Sequence, residues 1–134
     1  MKKITGLALL LLTFASCINE KKVLNCKKVH TGKFYLTSEF DNTVTIIERT
    51  DSIQVENSLQ TGRVDSAKVT WLNDCEYLLQ YYFRSSSNNL DTLIGNKKAT
   101  IKILATGKTY YIFSMKFEDI DLQFVDTLRY YVKH

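Results

Sequence analysis

The sequence predicts an all-β domain, an antiparallel meander of about eight strands that follows an N-terminal signal peptide. Three observations lead to this fold class. Apolar and polar residues alternate with period two from Lys33 almost to the end of the chain, short polar turns separate the alternating segments, and no convincing helical period follows the N-terminal segment. Proline is absent and glycine occurs five times, so Asn, Asp, Ser and Thr must form most of the turns.

Each alternating segment has one apolar face. In chain order these faces are Phe34, Leu36 and Phe40; Val44 and Ile46; Ile53, Val55 and Leu59; Ala67, Val69 and Trp71; Tyr77, Leu79, Tyr81 and Phe83; Ala99, Ile101, Ile103 and Ala105; Tyr111, Phe113, Met115 and Phe117; and Leu122, Phe124, Leu128, Tyr130 and Val132. Short connections make consecutive strands antiparallel, and one-sided strands without a covering helix must close or fold over. The simple meander favours a small barrel resembling the lipocalin-like class, with a sandwich as the alternative.

Residues 1–16 have the three parts of a secretory signal peptide. Met1–Lys3 is cationic, Ile4–Leu12 is apolar, and the small residues Ala15 and Ser16 precede a cysteine. The apolar part is much shorter than the roughly 20 residues that a membrane-spanning helix needs. We therefore expect export and cleavage rather than a transmembrane anchor.

Cys17 is the expected site of lipid attachment. The stretch Leu12–Cys17 resembles the lipobox of bacterial lipoproteins, in which the cysteine thiol receives a diacylglycerol and becomes the first residue after cleavage. Phe14 replaces the Leu, Val or Ile that is usual at its position. The expected organisation is a lipoprotein signal peptide over 1–16, a lipidated tether over 17–30 and a barrel-like domain over 31–134. An ordinary cleaved signal with an incidental Cys17 is the alternative.

The expected cellular location follows from this organisation. Acyl chains would hold the protein on a membrane without help from its own surface, because each buried methylene contributes about 0.8 kcal/mol. We expect a location in the cell envelope, at the outer membrane, on its periplasmic or surface face.

Cys26 and Cys75 remain as a pair once Cys17 is acylated. Disulfides persist in exported proteins, so the sequence predicts a bond between these two residues that pins the tether to the barrel. The alternative is a metal site formed by Cys26, His30 and Cys75. Three scattered ligands without a paired Cys-x-x-Cys spacing disfavour it.

Signals for catalysis are weak. The two histidines are His30, beside the tether, and His134, the last residue, so a histidine-based triad has no place within the strands. The sequence has no Gly-x-Ser-x-Gly elbow, Gly-rich phosphate loop or His-Glu-x-x-His motif. Glu118, Asp119 and Asp121 form an acidic turn that lacks the regular ligand spacing of a calcium loop. We expect no enzyme activity, no cofactor and no metal.

Three motifs carry a family resemblance: Thr31–Phe34, Glu48–Arg49 followed by Gln54–Glu56, and Trp71–Tyr77. On these motifs and on Cys26, the chain resembles a group of short lipoproteins from Bacteroidota, mainly flavobacteria. The resemblance implies a lipoprotein but no activity. Members of the group often carry the transferred label "DNA topoisomerase IV", which nothing here supports, because an exported chain of this size lacks the nucleotide-binding motifs and the basic face of such an enzyme.

Two classes of function fit these features. The formal charge of +4 falls when Lys2 and Lys3 leave with the signal, so it does not indicate nucleic-acid binding. The first class is a non-enzymatic envelope protein that has a structural role or binds a partner protein or another envelope component. The second is a lipocalin-like carrier of a small apolar ligand. Large inward side chains fill an eight-stranded barrel, and this expectation argues against the carrier.

Overall fold

The computed structural model describes residues 24–85 and 93–132, which form a closed barrel of eight antiparallel strands. A 3₁₀ turn spans Cys26–Val29, and the strands are β1 Gly32–Thr37, β2 Val44–Arg49, β3 Ile53–Ser58, β4 Val64–Asn73, β5 Glu76–Arg84, β6 Ala99–Thr106, β7 Tyr110–Phe117 and β8 Gln123–Tyr130. Each strand pairs with the next, and β8 pairs with β1. The predicted all-β meander is confirmed, in its barrel form. In this part of the chain, no helix has the length and apolarity to cross a membrane.

The ladder between β1 and β8 closes the barrel over a short distance. It has two register pairs, Phe34 with Tyr130 and Tyr35 with Arg129, whereas the β1–β2 ladder has six. Aromatic packing supplements it, because the ring of Phe34 lies 5.4 Å from that of Tyr130 and 5.5 Å from that of Tyr111 between centroids. Closure therefore depends on side chains as much as on backbone hydrogen bonds.

The turns use the residues that the composition left available. Asn42 and Asp119 adopt positive φ angles of 54° and 59°, in the region that Asn and Asp tolerate better than other side chains. Gly62, with φ of 68°, has the same role between β3 and β4. In the β1–β2 turn, Asp41 Oδ1 accepts hydrogen bonds from the backbone N–H and the hydroxyl of Thr43. These turns let the hairpins reverse without proline.

The predicted inward faces of β2 and β3 are wrong. Thr45, Ile47 and Arg49 of β2 and Gln54 and Glu56 of β3 line the barrel interior. Val44, Ile46 and Leu59 line a groove on the outside of the barrel, where Ile46 is buried beneath its neighbours, and Ile53 is 42% exposed. The apolar alternation misleads here because the interior of this side of the barrel is polar.

Two large aromatic residues are also misassigned. Phe40 lies beyond the end of β1 in the hairpin loop and is fully exposed. Phe83 is 51% exposed because a register shift opposite Ser66 and Ala67 reverses the facing of the last residues of β5. The same shift turns Arg84 toward Asp65 inside the barrel.

Residues 24–30 form a plug that closes one end of the barrel. Cys26 and Val29 are buried in the core, and the N–H of Asn25 donates to Thr106 Oγ1 at 3.2 Å. The His30 ring stacks on Trp71 with centroids 3.5 Å apart, and its Nε2 lies 2.8 Å from the carbonyl oxygen of Asp74. The hairpin loops at 38–43 and 59–63 lie at the opposite end, which we call the far end.

A disulfide links the plug to the turn between β4 and β5. Cys26 and Cys75 are bonded, with their Cα atoms 5.1 Å apart, inside the limit of about 7 Å for an unstrained bridge. The backbone carbonyl of Cys75 also accepts a hydrogen bond from the N–H of Ile103. The bond therefore anchors the plug to a turn that β6 already holds in place.

Cys75→Ser should lower the free energy of unfolding by about 2–5 kcal/mol, the usual range for a native disulfide in a small exported domain. Urea denaturation measures the loss, and mass spectrometry without reduction should find the two cysteine peptides linked in the unmodified protein. Cys26→Ser should cause a similar loss, and the double variant little more. Two alkylatable thiols in protein made in an oxidising compartment would contradict the pairing.

Candidate functional site

A polar cluster lies inside the barrel, on the side formed by β2, β3 and β5. Its members are Arg49, Gln54, Glu56 and Tyr81, with Tyr77 and Tyr111 beside Arg49. Arg49 ends β2 and is the register partner of Gln54 near the start of β3, so the tight β2–β3 connection places both side chains on the interior. Glu56 follows two residues later on the same inward face.

Arg49 is the centre of the cluster and is 3% exposed. Its Nε donates to Gln54 Oε1 at 2.7 Å, Nη1 to the carbonyl oxygen of Val29 at 2.8 Å, and Nη2 to the hydroxyl of Tyr111 at 2.9 Å. The rings of Phe34 and Tyr77 lie 5.2 and 4.9 Å from its guanidinium carbon. Within the described part of the chain, it forms no ion pair with a carboxylate.

The charge of Arg49 is retained in this environment. Burial disfavours the charged guanidinium, but the electrostatic influence of Tyr77, Tyr111 and Glu56 outweighs it and holds the pKa of Arg49 above its ordinary value. A guanidinium stays protonated in proteins in any case. The interior therefore contains one permanent positive charge, surrounded by neutral hydrogen-bond acceptors, aromatic rings and the carboxyl group of Glu56.

Glu56 is the acidic member of the cluster. Its Oε1 accepts two hydrogen bonds, from Gln54 Nε2 at 2.6 Å and from the hydroxyl of Tyr81 at 2.7 Å. Burial raises the pKa of Glu56, and these two hydrogen bonds offset the rise only in part. The side chain is half-buried by surface area because it lines a cavity inside the barrel.

The cavity occupies the barrel interior and has a volume of about 180 Å³. Its lining combines the polar groups of Arg49, Gln54, Glu56, Tyr77, Tyr81 and Thr45 with the apolar side chains of Leu36, Ile47, Leu79, Ile101, Phe113, Met115, Phe124 and Leu128. Large inward side chains form the core as expected, but they do not fill the barrel completely. The cavity lies between Gln54 and Glu56 of β3 and Phe113 and Met115 of β7.

A second charged group extends the polar side toward the far end. The carboxylate of Asp65 is buried and pairs with Arg63 at 2.9 Å and with Arg84 at 3.6 Å. The Arg84 guanidinium carbon lies 4.0 Å from the centre of the Tyr81 ring. Tyr81 thus stands between Glu56 and this ion-pair group, so the polar side of the interior is continuous.

The candidate site residues identified from the sequence do not belong to this polar cluster. Cys17 and His134 lie outside the described residues. Cys26 and Cys75 are joined to each other, so their sulfurs are not free thiolates for a metal, and His30 belongs to the plug. The Glu118 carboxylate accepts a hydrogen bond from the N–H of Lys98. Among the described residues, His, Cys, Asp and Glu side chains form no group of three that could hold a metal ion.

Sequence reasoning missed Arg49, Gln54 and Glu56 as interior residues. Hydrophobic alternation assigns polar side chains to the solvent face, so it cannot identify a polar interior. A signal was present nevertheless, because Glu48–Arg49 and Gln54–Glu56 are among the motifs on which the family resemblance rests. Comparison of the chain with family models, curated proteins and solved structures gave no match.

Glu56→Gln should change how stability depends on pH. The folded-state pKa of Glu56 lies above its ordinary value of 4.5, so its favourable contribution is complete below that value and is lost as pH rises through the folded-state pKa. Relative to the unmodified protein, the variant should therefore gain stability as pH rises above about 4.5, measured by urea denaturation. Its amide oxygen can still accept from Gln54 and Tyr81.

Glu48→Gln is the matched control. Glu48 lies on the exterior of the same hairpin, where it pairs with Lys33 at 2.8 Å and is mostly exposed. This variant should keep the pH profile of the unmodified protein. Parallel profiles for the Glu56→Gln variant and the unmodified protein would show that Glu56 does not titrate differently in the folded state.

Proposed function

We propose that the protein is a lipid-anchored, non-enzymatic binding protein of the bacterial cell envelope that holds a small molecule inside its barrel. The observation that supports this function best is the interior cavity, in which a few polar groups converge opposite an apolar wall. Ligand sites generally have this composition, with apolar side chains for affinity and a few placed polar groups for orientation. This is the carrier class of function, with a polar contact added.

A non-enzymatic role is in keeping with the chemistry of the lining. Among the described residues that line the cavity, there is no His, Cys, Ser or Lys, which are common nucleophiles and general bases. Arg49 is fixed by three hydrogen bonds, and Glu56 Oε1 is occupied by two donors. Groups held in this way are suited to orienting a ligand.

The proposed anchor would set the orientation of the barrel. About seven residues separate Cys17 from the first described residue, Leu24, and such a segment reaches at most roughly 25 Å. An acylated Cys17 would therefore keep the plugged end close to the membrane. The far end, with its hairpin loops, would project into the surrounding space.

Binding of a partner protein is the second candidate function, and one surface favours it. A groove of about 500 Å³ on the outside of β8, β1 and β2 is lined mostly by apolar and aromatic side chains, together with Thr109 and Arg129. Among them, Leu59, Tyr131 and Val132 are 59%, 42% and 63% exposed. Exposed apolar residues that cluster in this way are typical of interaction surfaces.

The anchor can be tested with Cys17→Ala in a bacterial host. The variant should lose acylation and stay unprocessed or become soluble, because the thiol that accepts the lipid is absent. Metabolic labelling with a fatty-acid analogue measures the modification, and Cys75→Ser provides a control that retains Cys17. Label incorporated into the Cys17→Ala variant would contradict the proposed attachment site.

The cavity can be tested by methyl NMR with benzyl alcohol as a small probe. The methyl signals of Ile47, Ile101 and Leu128, which line the cavity, should shift on titration. Those of Ile53 and Leu59, which are exposed on the exterior, should not. Shifts confined to exterior methyls would favour the outer groove over the cavity, and no shift at any interior methyl would count against a binding function for the barrel.

A further inference from the structure

We infer that the interior cavity takes a small monocarboxylate with an apolar body about the size of a benzene ring. This inference rests on the proposed binding function and adds the chemical class of the ligand. It follows from the size of the cavity, the division of its walls, the charge of Arg49 and the hydrogen-bonding state of Glu56.

The size of the cavity limits the ligand. Sites for drug-sized molecules have volumes of about 300–1,000 Å³, and the barrel interior offers about 180 Å³. An apolar cavity of roughly 150 Å³ is known to accommodate benzene. A long acyl chain does not fit, whereas a ring or a short branched chain with one polar group does.

The two walls of the cavity differ in chemistry. Gln54 and Glu56 of β3 face the interior with Arg49 of the neighbouring β2. Four strands away in the closed order, and so across the barrel, Phe113 and Met115 of β7 are apolar. A ligand that satisfies both walls has a polar group at one end and an apolar body at the other.

The permanent charge at the polar wall selects an anion. Arg49 is buried, lines the cavity and forms no ion pair with a carboxylate in the described residues. Its three hydrogen bonds use three of the five N–H groups of a guanidinium. While Glu56 is protonated, the guanidinium has no counter-charge in the cavity lining, and such a buried charge is costly, so an anionic ligand would be stabilised and a cationic one repelled.

Glu56 is arranged to donate a hydrogen bond to that anion. Both hydrogen bonds to its carboxyl group end on Oε1. A proton bound to Glu56 would therefore sit on Oε2, and burial favours the protonated form. The protonated acid and the Arg49 guanidinium would then both donate to the ligand carboxylate. Binding takes up one proton at Glu56, so it should weaken as pH rises.

The other titratable groups around Glu56 would not cause the same loss of affinity with rising pH. The pKa values of Tyr77, Tyr81 and Tyr111 are raised by burial, so these phenols stay neutral. Asp65 on β4 is paired with Arg63 and Arg84, and arginine does not titrate in this range. Loss of affinity with rising pH therefore reports on Glu56.

The test compares benzoate, benzyl alcohol and benzylamine, three probes of similar size and different charge, by calorimetry and methyl NMR on the purified full chain. Benzoate should bind at least about tenfold more tightly than benzyl alcohol, because a hydrogen bond to a charged group contributes on this scale. Benzylamine should bind more weakly than either. Benzoate affinity should fall by about tenfold per pH unit above the pKa of Glu56, as uptake of one proton requires.

Two variants isolate the carboxyl group. Glu56→Gln keeps an oxygen acceptor for Gln54 and Tyr81 and offers an amide donor that does not titrate, so its benzoate affinity should be independent of pH. Glu48→Gln on the exterior should retain the pH dependence of the unmodified protein. The interior methyl spectrum of each variant shows whether its barrel is intact before affinities are compared.

The outcomes separate this inference from the proposed function. Equal affinity for benzoate and benzyl alcohol, with interior methyl shifts for both, would overturn the carboxylate ligand and leave a binding barrel. The same pH dependence in Glu56→Gln and the unmodified protein would overturn the role of Glu56 as donor. No interior shift with any of the three probes would remove both the ligand class and the proposed function.

Discussion

The buried guanidinium of Arg49 connects more parts of this barrel than any backbone ladder does. It joins the plug through the carbonyl of Val29, β3 through Gln54 and β7 through Tyr111, and it lies between the rings of Phe34 and Tyr77. Taking such a charge out of water costs several kcal/mol unless every neighbour is placed to compensate. The position of the plug, the polar wall of the cavity and the packing of the aromatic residues are thus coupled through one side chain.

Much of the fold could be predicted from the sequence, because strand period and turn chemistry are local properties. The eight strands were recognisable by alternation, the positive φ angles occur at residues such as Asn42 and Asp119, and the cysteine pair followed from counting thiols in a chain expected to be exported. The facing of β2 and β3 was not predictable in this way. Ile53 alternates with Gln54 as a core residue would, yet the core position belongs to Gln54.

The reason for that failure also explains why the candidate site was missed. Gln54 and Glu56 can face inward only because Arg49 and Tyr81, which are distant in sequence or on another strand, satisfy their hydrogen bonds. A one-dimensional pattern contains no information about such partners. The register shift in β5, which turns the Phe83 side chain outward, likewise depends on the pairing of β5 with β4. It can therefore be recognised only in the assembled sheet.

The short β1–β8 ladder has a consequence for the motions of the barrel. Every other ladder joins strands adjacent in sequence, whereas this one joins the first and last strands of the described chain. Its formation therefore has the largest loop-closure entropy cost, and it contributes few hydrogen bonds. Local opening requires the least free energy where contacts are fewest, so amide hydrogens along this seam should exchange before those of the hairpins. Leu36 on β1 and Phe124 and Leu128 on β8 flank the seam and line the cavity. A brief separation of the two strands would therefore uncover the apolar wall while the disulfide-bonded plug and the polar wall stay in place.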